Sequence, residues 1–391
     1  MTSLNRRDFG VTLASFLAMM ATADIARANK DTIKIGVVGG CTGPQSAQAL
    51  PALEGIRMAV SELNAAGGFE VGGKQFKFEL IEEDNQSKPE LAVAAARKIL
   101  TNDDVPVILC SSNSVTGLAV ANVVKLSNVV MIGDFTAMGT IAGTPGYTTM
   151  FRSLPDDAKV VSKPFVDAVV KELDVKRIAF VLPNDETSRL LVKVYEPAFK
   201  NAGAEVTGVE YFQSGTLDFA PVLRRLQNRG LDSLFVGYTD SDVAPLIRQS
   251  LELGSLPTKI IYRGGSGAPA AGYMDKLDGF TWQILSRDME NPPDQKVKDF
   301  VERYKKFTGN TVASNTFFAL GFYDTIFVLA QALRNVGKIG DSATLASELK
   351  KIKYSGIRNM YYDEMGMVHS DFDIGIIKKN GKPYSIPVAV Q

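Results

Sequence analysis

Short apolar runs alternate with longer amphipathic segments along most of the chain, and this alternation constrains the fold more than any other feature. The spacing of apolar residues changes repeatedly from that of a buried strand to that of a helix with one apolar face. Strands of the first series are predicted at residues 32–38, 75–84, 105–109 and 129–133. Helices are predicted between them at 50–68, 90–100 and 114–125. Strands that alternate with helices of this length form parallel βαβ units, so the sequence predicts an α/β fold.

The alternation then starts again, which predicts a second lobe with the architecture of the first. Its strands are predicted at 177–183, 205–212, 233–238 and 258–262. Its helices are predicted at 155–173, 188–203, 218–230 and 242–254. A helical block follows from about residue 294, and short strands at 357–366 and 371–381 end the chain. Because these late elements must pack on one lobe or the other, we expect the chain to cross between the lobes more than once.

The first 28 residues have the features of a twin-arginine export signal. Arg6-Arg7 precede an apolar segment from about Phe9 to Ala23, and Ala26-Arg27-Ala28 has the small-x-small pattern of a cleavage site. The apolar segment is too short to cross a bilayer core of about 30 Å as a helix. We therefore expect cleavage after Ala28 and a periplasmic protein. The alternative is a buried amphipathic helix at the amino terminus.

The charge balance argues against nucleic acid as a partner. The chain has 43 basic and 43 acidic side chains, so it is formally neutral. A protein that binds nucleic acid needs a clustered basic face, and no such cluster stands out in the sequence. After the signal, no segment has the length of continuous apolar sequence that a membrane helix needs, so we expect a soluble protein.

Polar loops follow the predicted strands, and they indicate where a ligand would bind. Ligands of open parallel sheets bind beyond the carboxyl ends of the strands. The loops at these ends are rich in glycine, hydroxyl and amide groups, and they cover 39–48, 82–86, 110–114, 133–139, 183–188, 237–242 and 262–267. Two lobes that face each other with such loops would enclose a cleft and could close on a ligand by a hinge motion.

The stretch 110–114 places three polar residues between a strand and a helix. Ser111, Ser112 and Asn113 lie where the helix start offers unpaired N–H groups and the positive end of its dipole. Serine hydroxyls added to such a helix start suit an anion, above all a carboxylate. The alternative is that Ser112 or Asn113 only caps the helix.

The residues needed for catalysis are scarce. The chain has one histidine, His369, which we expect at the surface near the carboxyl terminus, and two cysteines. This set provides no zinc-type ligands, and the sequence lacks the glycine patterns of dinucleotide and phosphate loops. We therefore predict that the protein is not an enzyme and uses no metal or cofactor.

The two cysteines lie at the carboxyl ends of two strands of the first lobe. Cys41 follows the first strand and Cys110 the third, and these strands are neighbours in a common order for such sheets. That arrangement permits a disulfide without requiring one. We expect two free thiols, and we do not expect Cys41 to carry a lipid.

The aromatic residues near 317–327 fall on a long apolar helix and are predicted to be core residues. Phe317 and Phe318 stand at the start of that helix, from which either ring could reach a cleft.

Several stretches in their order and spacing resemble the type I periplasmic solute-binding proteins, in particular the leucine/isoleucine/valine-binding family that serves ATP-driven importers. These stretches are IKIGVVGGCTGPQS, LEGIRMAVSELNAAGG, AVAAARKIL, VILCSSNS, FRSLPDD, RIAFV, FAPVLRRLQ, LIRQSLELG and FFALGFYD. The resemblance implies two Rossmann-like lobes joined by three crossing segments, near residues 152–153, 285–286 and 364. It implies a first lobe of residues 29–152 and 286–364 and a second lobe of 153–285 and 365–391. It also implies a monomeric receptor that delivers a small solute to an ABC permease.

The resemblance also implies a set of ligand contacts. In the first lobe, the family's serine that holds a ligand carboxylate matches Ser111. The other contacts of that lobe match Gln48, Phe135, Thr136 and Ala137. In the second lobe they match Thr187 and Thr239, with Tyr238 beside the latter.

The sequence departs from the family at one position that matters for the ligand. Where the family places an acidic residue for the ammonium of an amino acid, this chain has Gly264, preceded by Arg263. A buried ammonium without a counter-charge would cost several kcal/mol. We therefore favour an aromatic or aliphatic carboxylate that lacks an α-amine, held by Ser111, Ser112 and the helix start. A branched-chain amino acid or amide stays open as a ligand, and the sensor module of a signalling receptor stays open as a role.

Overall fold

The computed structural model describes residues 31–213, 215–237, 239–312 and 314–389. The predicted export signal and Tyr238 lie outside these residues.

The first sheet has six strands and follows the predicted alternation. Their order is β2-β3-β1-β4-β5-β6, in which β2 and β3 form an antiparallel hairpin and the remaining neighbours are parallel. The strands are β1 (Thr32–Gly39), β2 (Phe69–Val71), β3 (Lys74–Asp84), β4 (Val107–Ser111), β5 (Val130–Gly133) and β6 (Met150–Arg152). The parallel βαβ prediction is confirmed, and β1 pairs with β4 as the strand order requires.

The second sheet has seven strands, of which the first five along the chain are parallel. The order is β16-β15-β11-β10-β9-β7-β8, and β15 and β16 are added antiparallel at one edge. The strands are β7 (Arg177–Pro183), β8 (Glu205–Phe212), β9 (Ser233–Val236), β10 (Lys259–Tyr262), β11 (Gly279–Ile284), β15 (Phe372–Lys378) and β16 (Tyr384–Val388). The chain therefore leaves this sheet after β11 and returns to it at β15.

Helices cover both faces of each sheet, which gives two lobes of the doubly wound type. In the first lobe they are α1 (Ser46–Ala65), α2 (Pro89–Asn102), α3 (Ser114–Val124), α4 (Met138–Ile141), α9 (Gln295–Thr308), α10 (Phe317–Val336) and α11 (Ser342–Leu349). In the second lobe they are α5 (Ser162–Leu173), α6 (Glu186–Asn201), α7 (Ala220–Arg224) and α8 (Asp240–Leu253). Each sheet thus has one apolar core on each face.

Two predicted helices differ from the structure. The helix predicted at 218–230 is regular only over α7, because Asn228 and Gly230 adopt positive φ angles of 63° and 64° in the turn that follows. The helix predicted at 155–173 starts with a turn of π-helix at Asp157–Val161. That turn directs the side chain of Asp157 towards the second lobe, where it contacts Arg263.

The long helix α10 packs against α1 at the centre of the first lobe. The two backbones approach closely at Gly55, where a Cβ atom would lie 2.1 Å from the carbonyl oxygen of Ala319. By length and composition α10 could cross a membrane, but most of it is buried inside the protein. Its apolar character therefore reflects its place in the core.

A small third sheet lies beside the crossings. It contains β12 (Lys353–Ser355), β13 (Asn359–Tyr362) and β14 (Val368–Ser370), which are antiparallel. Met360, Tyr362 and Val368 belong to the same apolar core as α1 and α10. We therefore propose that the third crossing lies between β14 and β15, a few residues after the predicted position near residue 364.

A fully buried ion pair ties α10 to this third sheet and to the first crossing. The Nε of Arg358 lies 3.3 Å from Oδ2 of Asp324, and both side chains are inaccessible to solvent. The other nitrogens of Arg358 donate to the carbonyl oxygens of Ser153, at 3.3 Å, and Gly321, at 2.9 Å. Backbone N–H groups of Ile357 and Arg358 donate to Asp324, so the buried carboxylate is well satisfied.

We expect Arg358→Met to lower the free energy of unfolding by about 3–5 kcal/mol, because it leaves Asp324 buried without its counter-charge. Lys163→Met is the matched control, since Lys163 pairs with Asp167 in solvent and its loss should change stability by less than about 0.5 kcal/mol. Urea unfolding of both variants measures the difference. Equal, small effects would contradict a structural role for the buried pair.

Candidate functional site

A cavity of about 570 Å³ lies between the carboxyl ends of the two parallel sheets. The first lobe contributes the loops after β1, β4, β5 and β6, and the second contributes the loops after β9, β10 and β11. The start of α10 closes one side. The volume falls within the range of about 300–1,000 Å³ that is usual for small-molecule sites.

Eight of the twelve sequence-predicted contact residues line this cavity. They are Gln48, Ser112, Asn113, Phe135, Thr136, Thr239, Arg263 and Gly264. Ser111, Ala137 and Thr187 are not among the lining residues, and Tyr238 lies outside the described part of the chain. Thr187 is exposed on α6, and the N–H group of Ala137 donates to Ser114.

The structure changes the role of Ser111. Its side chain is buried, and its hydroxyl donates to Oδ2 of Asp134 at 2.6 Å. The backbone N–H of Ser112 donates to the other oxygen of Asp134 at 3.1 Å. The carboxylate of Asp134 therefore accepts the hydrogen bonds that the sequence analysis assigned to a ligand carboxylate. The prediction that this helix start holds a ligand carboxylate needs revision for that reason.

Asn113 and Ser112 have different positions at the start of α3. Asn113 caps the helix, because its Oδ1 accepts the N–H of Thr116 at 2.9 Å. Ser112 is fully buried, and its hydroxyl has no hydrogen-bond partner within the described ranges. Ser112 lines the cavity together with Asn113 and Ser114 of the same helix start.

Burial raises the pKa of Asp134, the carboxylate at this end of the cavity, to about 6. Its hydrogen bonds to Ser111, Gln48 and Ser112 and the charge of Arg152 oppose that increase only in part. Desolvation disfavours the charged form, and no arginine or lysine of the described chain forms an ion pair with Asp134.

Two arginines, one at the end of β6 and one after β10, also line the cavity. Nη1 of Arg152 lies 2.7 Å from Oδ2 of Asp156, and Arg263 pairs with Asp157. Adjacent aspartates in the first crossing thus hold one arginine from each sheet. In both arginines the Nε atom is buried and has no hydrogen-bond partner among the residues that the structure describes.

Asp157 is itself fixed by buried neighbours. Nε2 of Gln283 donates to its Oδ1 at 2.7 Å, and the hydroxyl of Tyr195 lies 3.1 Å from the same oxygen. Burial alone would raise the pKa of Asp157, but the charges of Arg263 and Arg152 and the hydrogen bond from Gln283 outweigh burial and hold that pKa below its ordinary value. The carboxylate therefore stays ionised and keeps the guanidinium of Arg263 at the cavity.

Gly264 occupies its position for a steric reason. A Cβ atom there would lie 2.0 Å from the hydroxyl oxygen of Tyr262. The ring of Tyr262 is buried, and its hydroxyl donates to Asp240 at 2.5 Å, so the ring is held in place. An acidic side chain does not fit at residue 264 in this structure.

Apolar side chains form the rest of the wall. Phe317 and Phe318 stack with their ring centroids 4.4 Å apart, and both line the cavity, as their place at the helix start allowed. Phe135 is buried against Gly117, where a Cβ atom would lie 2.3 Å from the ring. Leu154 and Leu285 complete this surface. It suits the hydrocarbon part of a small solute.

Sequence reasoning missed two charged residues of the first lobe that line the cavity, Asp134 and Arg152. Asp134 lies in the polar loop that was predicted to border the site, and Arg152 ends a strand of the same sheet. A charged residue at the carboxyl end of a buried strand was the available signal in both cases. Gln283 gave no comparable signal, because it lies within a strand whose other residues are mostly apolar.

Both cysteines are free thiols, as expected. Cys110 is fully buried in β4, and burial raises the pKa of the partly exposed Cys41 to about 11. Neither environment favours the thiolate that a nucleophile requires. His369 lies on β14 of the third sheet, is partly buried and has its Nε2 atom 3.3 Å from Oδ2 of Asp363, and it is not among the residues that line the cavity.

Comparison with known proteins agrees with the fold. A family model described as "Periplasmic binding protein" matches residues 32–382. The leucine-, isoleucine-, valine-, threonine-, and alanine-binding protein of Pseudomonas aeruginosa is 26% identical over 375 residues, which cover 93% of this chain and 95% of that protein. This chain therefore belongs to the periplasmic binding protein family, whose members are solute-binding receptors.

Solved structures with low sequence identity share the fold. The branched-chain amino acid transporter substrate-binding protein LivJ of Streptococcus pneumoniae, in complex with isoleucine, has a TM-score of 0.69 and 20% identity and covers 92% of this chain and 100% of its own. A solute-binding protein of an ABC transporter from Rhodopseudomonas palustris, in complex with 3,4-dihydroxybenzoic acid, has a TM-score of 0.68 and 22% identity. It covers 92% of this chain and 98% of its own.

The raised pKa of Asp134 predicts a stability difference that depends on pH. A carboxyl group with a pKa of about 6 in the folded protein and about 3.9 in the unfolded chain does not lower the free energy of unfolding below pH 4. As the pH rises from 4 to 6 the group lowers the free energy of unfolding more and more, and above that range the loss amounts to about 3 kcal/mol. We expect Asp134→Asn to gain up to that amount of stability over the wild type between pH 4 and pH 8.

Urea unfolding at several pH values measures this gain. Asp104→Asn, which removes an exposed carboxylate of the same lobe, is the control and should run parallel to the wild type. Parallel curves for Asp134→Asn and the wild type would contradict the raised pKa.

Proposed function

We propose that this protein is the extracytoplasmic receptor of an ABC importer and that it captures a small organic carboxylate in the cavity between its lobes. The observation that carries this proposal is the pair Arg152 and Arg263. The two guanidinium groups come from different sheets, line one cavity and each keep a buried Nε–H without a partner in the described chain.

The charge arrangement favours an anion at this point. Asp156 and Asp157, which both lie in the first crossing segment, form ion pairs with the two guanidinium groups and so orient them. Guanidinium groups present several N–H donors in a planar fork, so one ion pair does not exhaust them. A carboxylate that bridges Arg152 and Arg263 would satisfy donors that are otherwise buried and unpaired, which removes a cost of about 1–3 kcal/mol per group.

The apolar wall narrows the class of solute. The stacked rings of Phe317 and Phe318, with Phe135 and two leucines, offer a surface for an aromatic ring or a branched aliphatic chain. The relatives bind solutes of both kinds: isoleucine in the Streptococcus pneumoniae protein and 3,4-dihydroxybenzoic acid in the Rhodopseudomonas palustris protein. Since one fold accommodates both kinds of solute, the residues that line the cavity of this chain determine which ligand it binds.

The two arginines also link binding to closure of the lobes. A carboxylate that contacts an arginine of each sheet holds the lobes together, and a permease could distinguish the closed form from the open one. Because Asp156 and Asp157 lie in the crossing itself, a small hinge rotation would move both arginines with little change in their ion pairs. Export through the twin-arginine-like signal would place this receptor in the periplasm.

An amino acid is the second candidate, and Asp134 favours it. Gly264 leaves no acidic group at the position that the family resemblance assigns to the ammonium. Asp134, however, places a carboxylate in the same cavity, directly after the strand that pairs with the strand of Arg152. A zwitterion could then bind with its carboxylate at the arginines and its ammonium at Asp134.

The first test compares a carboxylate with its uncharged amide. We expect 3-phenylpropanoate or isocaproate to bind the mature protein at least about tenfold more tightly than the matching carboxamide, since hydrogen bonds to charged groups contribute about 1.5–3 kcal/mol. Isothermal titration calorimetry measures both affinities. We expect Arg152→Gln to weaken carboxylate binding by a similar factor and to leave amide binding nearly unchanged.

Arg225→Gln is the matched control, because Arg225 is half-exposed in the second lobe and pairs with Glu210 away from the cavity. Carboxylate affinity should not change in that variant. Equal affinity for acid and amide, or equal effects of the two substitutions, would overturn the assignment of the arginines.

A further inference from the structure

A buried arginine in the second crossing contacts both lobes at once. Arg287 lies between β11 of the second sheet and α9 of the first lobe, and it is only 5% exposed. Its Nε donates to both carboxylate oxygens of Asp373, at 3.0 and 3.2 Å, where β15 begins in the second sheet. We propose that Arg287 and Asp373 form a latch in the hinge, which holds the lobes in the arrangement that encloses the cavity and which mild acid releases.

The other nitrogens of this guanidinium are bound to the first lobe. Nη2 of Arg287 donates to Oδ2 of Asp294 at 2.5 Å, and Asp294 caps α9. Nη1 donates to the carbonyl oxygen of Ile357 at 3.3 Å, just before β13 of the third sheet. Both α9 and Ile357 pack on the apolar core of the first lobe. Because the guanidinium is a planar group with fixed donor directions, a rotation of one lobe against the other would break some of these contacts.

The carboxylate of Asp373 also joins the second and third crossings. It is fully buried, and the backbone N–H of Asp288 donates to its Oδ2 at 2.6 Å. The backbone N–H of Asp373 donates to the carbonyl oxygen of Ser286 at 2.8 Å. A rotation that removed Arg287 would leave an ionised carboxylate buried without its counter-charge, which is strongly unfavourable. The latched arrangement is therefore favoured as long as Asp373 is ionised.

Protonation of Asp373 falls in a mildly acidic range. Burial raises its pKa to about 6, and the charge of Arg287 and the hydrogen bond from Asp288 oppose that increase only in part. If the lobes rotate and Arg287 moves away, burial remains and the pKa of Asp373 rises further. The rotated arrangement thus binds the proton more tightly, so a pH below about 6 favours it over the latched one.

The other charged groups near the latch have partners of their own. Asp288 accepts two backbone N–H groups and a serine hydroxyl, and Asp371 accepts two N–H donors from Asn359. Burial and the charge of Asp288 raise the pKa of Glu290. The sheet places two uncharged residues beside Asp373, Ile284 on β11 and Pro387 on β16. Asp373 is therefore the buried carboxylate through which a proton would act on Arg287.

The distance between the lobes of the ligand-free mature protein measures the latch directly. Val115→Cys on α3 and Leu217→Cys in the second lobe place a spin label on each lobe, since both side chains are strongly exposed. Cys41→Ser removes the partly exposed native thiol, and Cys110 is fully buried. Double electron–electron resonance then gives the distribution of distances between the labels. We expect it to be narrow at pH 7.5 and shifted and broadened at pH 5, where about 90% of Asp373 is protonated.

Three variants locate the effect. We expect Asp373→Asn to show at pH 7.5 the distribution that the parent protein shows at pH 5, and to respond no further to acid. Arg287→Lys keeps a charge for Asp373 but loses the fork that reaches the first lobe, so we expect a broad distribution at both pH values. Its free energy of unfolding should fall less than that of Arg287→Met, which removes the charge. Glu290→Gln is the control and should keep the full acid response.

The outcomes separate this inference from the proposed function. The same distribution at both pH values, or a narrow one in Arg287→Lys, would overturn the latch. An acid response that survives Asp373→Asn would assign it to another group, such as Asp134, and would overturn the latch as well. If Asp373→Asn does not fold, the pH series and Arg287→Lys still decide the question. The proposed function fails independently, in the calorimetry of acids and amides, because the latch is measured without a ligand.

Discussion

Two adjacent aspartates in the first crossing segment determine the arrangement of the whole site. Asp156 holds Arg152 of the first sheet, and Asp157 holds Arg263 of the second. These ion pairs keep two guanidinium groups, which come from separate lobes, at one cavity. Without these ion pairs, two buried guanidinium groups would share one cavity with no counter-charge. The free energy lost when they leave water would then not be recovered. The positions of both guanidinium groups and the charge that they bring to the cavity therefore depend on this pair of contacts.

The polar lining of the cavity is divided between the lobes. In the first lobe it includes the carboxylate of Asp134, the hydroxyl of Ser112 and the guanidinium of Arg152, and in the second lobe it includes the guanidinium of Arg263. Asp134 is buried without an ion-pair partner, which lowers the stability of the protein. Folding alone does not explain why a carboxylate stands there. Strained or costly groups are found most often where a protein binds something. The stacked rings of Phe317 and Phe318 form the apolar wall of the same cavity.

The sequence predicted the fold well because that information is local. Strand and helix periodicity identified both parallel sheets, and the polar loops at the strand ends identified the edge where the cavity lies. The chemistry of the site was harder to predict because it depends on register. Asp134 takes the donors of Ser111 and Ser112 only because β4 and β5 pair with Cys110 opposite Gly133. Likewise, Arg152 and Arg263 share a cavity only after the lobes are assembled, and Gly264 is explained by a neighbouring tyrosine ring.

A crystal structure of the mature protein with its tightest-binding carboxylate tests the central claim most directly. The account predicts that the ligand carboxylate lies within about 2.7–2.9 Å of nitrogens from both Arg152 and Arg263. It also predicts that the lobes are closed around the ligand. A ligand carboxylate bound at the amino end of α3 in place of the Asp134 contacts, or a ligand outside the cavity, would contradict the account.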